Sequence, residues 1–207
     1  MQSILRANAA RERLGRWLAA PGGPAGLVLT RPASVAWVTG GVAPPVDRSA
    51  DTDLVWAVIT PAGAALITTE VEAGRIAEEY QPAAHGFASL ATVPWYRPEE
   101  FVRAAEELAG GPAARLAGDG HPAFARDASG DLTGLRLALS GPEQEELRDL
   151  GADAAAALEG ALAAWSPGER DLDVQARVAA ACRPARRATT TAMTSSLTGA
   201  PTAIGCR

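Results

Sequence analysis

The sequence holds two histidines, His85 and His121, and two cysteines, Cys182 and Cys206. His121 stands in the turn-like string Gly118-Asp119-Gly120-His121-Pro122. A zinc site would need further ligands at short, regular spacing, and none is near it, so His121 reads as a loop histidine. His85, beside Gly86 where a strand begins, reads the same way. Cys182 closes an alanine-rich helical face and reads as a small core residue. Cys206 has no histidine close to it in sequence. The acidic pairs Glu78-Glu79 and Glu145-Glu146 are of the type used in general acid–base catalysis, but beside other charges on helical stretches they read as solvated faces. No H-E-x-x-H, G-x-S-x-G, P-loop or complete dinucleotide-binding glycine motif is present. Nothing assembles a nucleophile, a base and a group to orient the base.

The elements that would have to position such groups come from a chain of 207 residues, 47% hydrophobic and 21% charged. That length suits one large domain or two small ones. The 19 basic residues, all arginine, face 24 acidic ones for a net charge of −5. This mild acidity lacks the basic footprint of a nucleic-acid binder. The absence of lysine, with abundant alanine, glycine, proline and arginine, points to GC-rich codon usage. Two cysteines near the C-terminus do not make a disulfide scaffold. The charged N-terminal stretch is not a signal peptide, and no apolar run is long enough to span a membrane. A cytoplasmic protein with neither nucleic-acid nor membrane partner is expected.

Leu5, Ala9, Leu14, Trp17 and Leu18 share one face of an amphipathic helix that Pro21-Gly22-Gly23-Pro24 stops. Gly26 to Thr30 reads as a buried strand, Ala33 to Val38 as a short helix ending at Gly40-Gly41. A loop carrying Asp47, Asp51 and Asp53 follows. Leu54 to Thr60 and Ala64 to Thr68, joined by Pro61-Ala62-Gly63, read as a hairpin. Glu70 to Tyr80 has helical period, Gly86 to Val93 reads as a strand, Pro98 to Leu108 as a helix and Arg115 to Ala117 as a short strand. This alternation predicts a mixed α/β domain ending near residue 140. Beyond it, Leu147, Leu150, Ala154, Leu158, Ala161, Leu162 and Trp165 mark a long helix over Glu143 to Trp165. Ser166-Pro167-Gly168 breaks it, Leu172 to Cys182 opens a second helix, and from about Arg183 the pattern dissolves.

Three stretches carry a more specific signal. They are Leu27-Val28-Leu29-Thr30-Arg31-Pro32-Ala33-Ser34-Val35-Ala36-Trp37-Val38-Thr39-Gly40-Gly41; Thr60 to Thr68 with Glu72 and Arg75-Ile76; and Leu147-Arg148, Ala154 to Leu158 and Pro167-Gly168 before a helix. In order and spacing they resemble the pita-bread metallopeptidase family of aminopeptidase P, prolidase and creatinase, over about residues 4 to 183. The resemblance implies an α/β fold: a creatinase-like N-terminal domain with a mixed sheet and flanking helices over residues 1–140. The helical start of a truncated pita-bread catalytic domain follows over 141–183, then a disordered tail over 184–207 of the kind that out-of-frame translation produces.

The resemblance also implies what the chain would and would not do. The family's catalytic domain holds two divalent metal ions through two Asp, one His and two Glu, and those ions activate the attacking water. All five ligands lie further along than the matching part, and Asp153, Asp171 and Asp173 do not correspond to them. No metal ligand, catalytic residue or cofactor is therefore expected here, and a peptide substrate only in an intact relative. At Pro167-Gly168 the family's Thr or Ser followed by Glu is replaced, so Asp171 is expected to cap the second helix. The family's N-terminal domain builds oligomers and shapes the substrate entrance. Homo-oligomers through that domain are thus implied, with Trp37, Asp47 and Arg48 as candidates for the entrance. The expected function is that of the N-terminal portion of an Xaa-Pro aminopeptidase or prolidase, inactive alone; the alternative is a non-catalytic oligomerisation or entrance module.

Overall fold

The computed structural model describes residues 2–41 and 50–190, the last eight of these as backbone only. The chain divides into two compact units, residues 1–143 and 144–207.

In the first unit, one six-stranded mixed sheet is built from β1 (Gly26–Leu29), β2 (Val55–Thr60), β3 (Gly63–Thr69), β4 (Ser89–Val93), β5 (Leu116–Gly118) and β6 (Arg126–Asp127), in the order β4-β3-β2-β1-β5-β6. β1 and β2 are antiparallel, with Leu27 opposite Ile59 and Leu29 opposite Ala57. β2 and β3 form the expected hairpin, and the pairs β3–β4, β1–β5 and β5–β6 are parallel. The turn is tighter than Pro61-Ala62-Gly63: Gly63 already pairs with Thr60, and the Thr60 hydroxyl accepts a hydrogen bond from the Ala62 amide at 3.2 Å.

The strands read as unbroken apolar runs because both faces are covered. Alternate residues go to opposite sides. Leu27, Leu29, Val55, Ala57, Ile59 and Leu66 pack with Leu14, Val35, Ile76 and Leu132 from α1 (Gln2–Leu18), α2 (Pro32–Val38), α3 (Glu70–Tyr80) and α5 (Ser129–Leu137). Val28, Trp56, Val58 and Ile67 pack with Phe101 and Ala105 of α4 (Glu100–Ala109). The result is a helix–sheet–helix sandwich with four helices on one face and α4 on the other. Trp56 anchors the thinner side: its ring lies 4.9 Å from that of Phe101, and its Nε1–H donates to the Asp53 carbonyl at 3.0 Å.

Two elements, β6 and α5, fall where the sequence reading placed none. Strand β6 is two residues long. Helix α5 carries Gly130 and Gly134, which weaken the helical signal. Its first turn is held by Asp127, whose carboxylate accepts from the Ser129 amide and hydroxyl at 2.9 and 2.6 Å.

Helix α2 ends at Val38 with Thr39 as its C-cap, and the next residue, Gly40, has a φ of +70° that favours glycine. A Cβ there would sit 2.0 Å from the Ser3 carbonyl oxygen, so α1 passes directly over the α2 terminus. Gly40→Ala is expected to cost about 1–3 kcal/mol from the backbone conformation alone, and thermal unfolding should show it as a lowered midpoint.

The second unit contains most of α6 (Gly141–Ala163) and α7 (Asp171–Thr190). α6 starts on a capping box: Glu143 Oε2 accepts from the Ser140 amide and hydroxyl, both at 2.6 Å. Within this unit Ala157 and Ala161 are the buried residues of α6. Arg177 ties the hairpin together, donating to the Ala161 carbonyl at 2.9 Å and pairing with Glu169 at 2.5 Å. The start of α7 differs from expectation: Asp173, not Asp171, folds back to the chain at Arg170, bonding its guanidinium at 2.9 and 3.0 Å. α7 also runs to Thr190 and includes Pro184, so the dissolving of the apolar pattern at Arg183 is not the end of the helix. The rest of the expected tail, 191–207, lies outside the described residues.

Burial works against the Glu143 carboxylate, but the two bonds from Ser140 and the charges of Arg13 and Arg6 outweigh it and lower its pKa. A depressed carboxyl stabilises the fold above its unfolded value of about 4.3 and loses that contribution as pH falls through the folded value. Glu143→Gln should therefore flatten the acid side of the stability–pH profile. At neutral pH it should cost about 1 kcal/mol, as loss of a cap does; denaturant titration at neutral pH and near pH 3 measures both.

Candidate functional site

β1 and β5 are parallel neighbours whose following connections run to opposite sides, β1 through α2 to β2 and β5 to β6. The crevice at the carboxyl ends of such a pair is where open α/β sheets take ligands. Here it is closed by a buried acid, Asp119, only 1% exposed. Its Oδ1 accepts from the Thr30 amide and hydroxyl, both at 2.9 Å, and its Oδ2 from the Arg31 amide at 2.9 Å. Thr30 is tied a second way, its carbonyl accepting from the Asp53 amide at 2.7 Å. Gly118 precedes this acid because a Cβ there would meet the Phe124 ring at 2.6 Å. The sequence reading noticed Gly118-Asp119-Gly120 only as the setting of His121. The missing signal was the partner, since Thr30 lies 89 residues away.

Trp37, the described member of the entrance candidates, projects from α2 and is partly buried against the core on the four-helix side. The Arg136 guanidinium of α5 lies 5.3 Å from its ring centroid, a cation–π distance. Arg136 also donates to Ser34 Oγ at 2.7 Å, while its buried Nε has no partner. Burial lowers the Arg136 pKa, and the Asp119 charge opposes that. Asp47 and Arg48 lie outside the described residues.

The two histidines do not join this group. His121 packs in the aromatic layer under α4, 4.9 Å from the Trp56 ring and 5.6 Å from Phe124. Burial lowers its pKa and Asp119 partly offsets the effect. His85 Nδ1 lies 3.4 Å from the Gln81 carbonyl. Cys182 is exposed rather than a core residue.

On the same side of the sheet, a groove of about 550 Å³ runs between α1 and the β2–β3 turn. Arg11 lines it, donating to the Val38 carbonyl at 3.1 Å and to Asn8 Oδ1 at 2.7 Å. Its guanidinium stands 5.0 Å over Phe87. These bonds fix the arginine to its own fold.

Chemically, the Asp119 knot holds strand ends in place. Its acid accepts from two amides and the Thr30 hydroxyl. Among the described residues, no three His, Cys, Asp or Glu side chains gather where they could hold a metal ion. A binuclear centre of the pita-bread kind therefore does not fit the residues described. Nor, among them, is any helix long and apolar enough to cross a membrane.

In fold the chain is similar to solved dipeptidase structures. The Xaa-Pro dipeptidase from Bacillus anthracis is similar at a TM-score of 0.62 and 20% identity, over 86% of this chain and 49% of that one. Dipeptidase PepE from Mycobacterium ulcerans is similar at a TM-score of 0.59 and 20% identity, over 88% of this chain and 49% of that one. The chain thus spans about half the length of each. No family model matches the sequence, and no curated protein matches it. At this identity the likeness is one of fold.

Proposed function

We propose that this chain is the N-terminal portion of a prolidase-type metallopeptidase, without peptidase activity alone because the metal-holding half lies outside it. The observation that carries the reading is the pairing of two coverages: 86% of this chain against 49% of the Xaa-Pro dipeptidase it resembles. A sheet domain and a helical hairpin are accounted for, and half of the larger enzyme is not. On this reading Trp37, Asp47 and Arg48 border the substrate entrance of the intact enzyme and do no chemistry themselves.

The coding DNA beyond codon 207 tests the proposal. One of its three frames should continue into a peptidase-like sequence carrying two Asp, one His and two Glu. If none of the three does, the reading fails.

A further inference from the structure

Arg11 of α1 is a half-buried cation with no acidic partner. It donates to the Val38 carbonyl at 3.1 Å and to Asn8 Oδ1 at 2.7 Å, and its guanidinium lies 5.0 Å over the Phe87 ring. All three partners are neutral, and among the described residues no carboxylate pairs with it. Arg13 and Arg177, by contrast, pair with Glu143 and Glu169. Burial lowers the Arg11 pKa, with no acidic neighbour to offset the loss. A guanidinium has five N–H donors, so those the protein leaves unused are available to an anion. The group is also held in place. A Cβ at Gly86 would stand 2.8 Å from Arg11 Nη2, and glycine there leaves the guanidinium its room.

This arginine lines the groove of about 550 Å³ between α1 and the β2–β3 turn, a size ordinary for a small-molecule site. Gly15, one turn further along α1, lines it too. A Cβ there would meet nothing within 4 Å, so packing does not call for glycine. Glycine inside a helix costs about 0.5–1 kcal/mol relative to alanine. What the missing side chain leaves is depth in the groove, on the helix face that carries Arg11. Across from α1, Ile59, Pro61 and Ala64 of the hairpin supply an apolar wall. We infer that this groove binds a small monocarboxylate with an apolar body, its carboxylate on the Arg11 guanidinium and its body against the hairpin wall. One cation matches one negative charge. Glu12, which lines the same groove, repels a doubly charged anion such as phosphate. The site is built from the first unit and does not rest on the peptidase reading.

Amide NMR spectra of the full 207-residue chain, titrated with naphthylacetate, test this. Gly15, Gly63 and Gly86 should shift, with a dissociation constant on the order of 1 mM or tighter for a ligand of this size. Naphthylacetamide, which keeps the rings and loses the charge, should bind at least about tenfold more weakly. Inorganic phosphate should leave the same amides unmoved. Gly15→Leu fills the groove and suits a helix, so it should hold or raise the thermal midpoint while abolishing the shifts. Arg11→Gln should weaken the acid to the level of the amide; where that variant fails to fold, Gly15→Leu carries the test. Absence of shifts, shifts confined to other residues, equal binding of acid and amide, competition by phosphate, or unchanged binding to Gly15→Leu would each overturn the proposal.

Discussion

Trp56→Ala is expected to destabilise the first unit by about 3–5 kcal/mol, the range for removing a fully packed tryptophan. The residue is 4% exposed and central to the thinner core layer, where its ring meets Phe101, His121 and Phe124 at centroid distances of 4.9, 4.9 and 6.3 Å. On that side α4 and the segment between β5 and β6 pack against the ring, and its removal leaves a cavity among them. Trp56→Phe separates the two parts of the effect. It keeps most of the apolar contact but leaves the buried Asp53 carbonyl without its Nε1–H donor, which should cost about 1–2 kcal/mol. Denaturant titration followed by circular dichroism measures both. Equal losses for Ala and Phe would mean that the hydrogen bond, not the packing, carries the stabilisation.

Asp119→Ala should cost about 3 kcal/mol or more, a large share of the 5–15 kcal/mol that holds a typical domain. The substitution strips the acceptor from three donors at once, the Thr30 amide and hydroxyl and the Arg31 amide. Each unsatisfied buried group costs about 1–3 kcal/mol, and Thr30 is as buried as the acid itself. Because these bonds pin the end of β1 to the end of β5, amide exchange should accelerate at Thr30 and Arg31 before it does in the β2–β3 hairpin. Asp119→Asn keeps one oxygen for Thr30 but turns an NH2 toward the Arg31 amide, and should fall between wild type and Ala. A loss below 1 kcal/mol for Asp119→Ala would show that the knot contributes little to the sheet.

The parts of this fold legible in the sequence are those with local causes. The hairpin showed because two apolar runs flank Pro61-Ala62, and α3 because Ile76 and Tyr80 repeat at helical spacing within a charged surround. The leucine stripe gave α6 its length. What was missed depends on distant partners. Strand β6 exists because Ala117 and Gly118 offer it an edge, and α5 because Leu132 finds the core; neither has a periodic signature of its own. Asp119 likewise looks like any turn aspartate until Thr30 is brought beside it. Asp173 displaced Asp171 at the start of α7 for a local reason, since its side chain reaches back three residues to Arg170. The three-block resemblance pointed to the dipeptidase fold that the solved structures share.

The account stands or falls on whether this polypeptide carries a metal centre. The purified 207-residue chain, incubated with excess manganese, cobalt or zinc and freed of loose ion by gel filtration, should retain less than about 0.1 ion per chain by mass spectrometry. Retention of one to two ions per chain would contradict it.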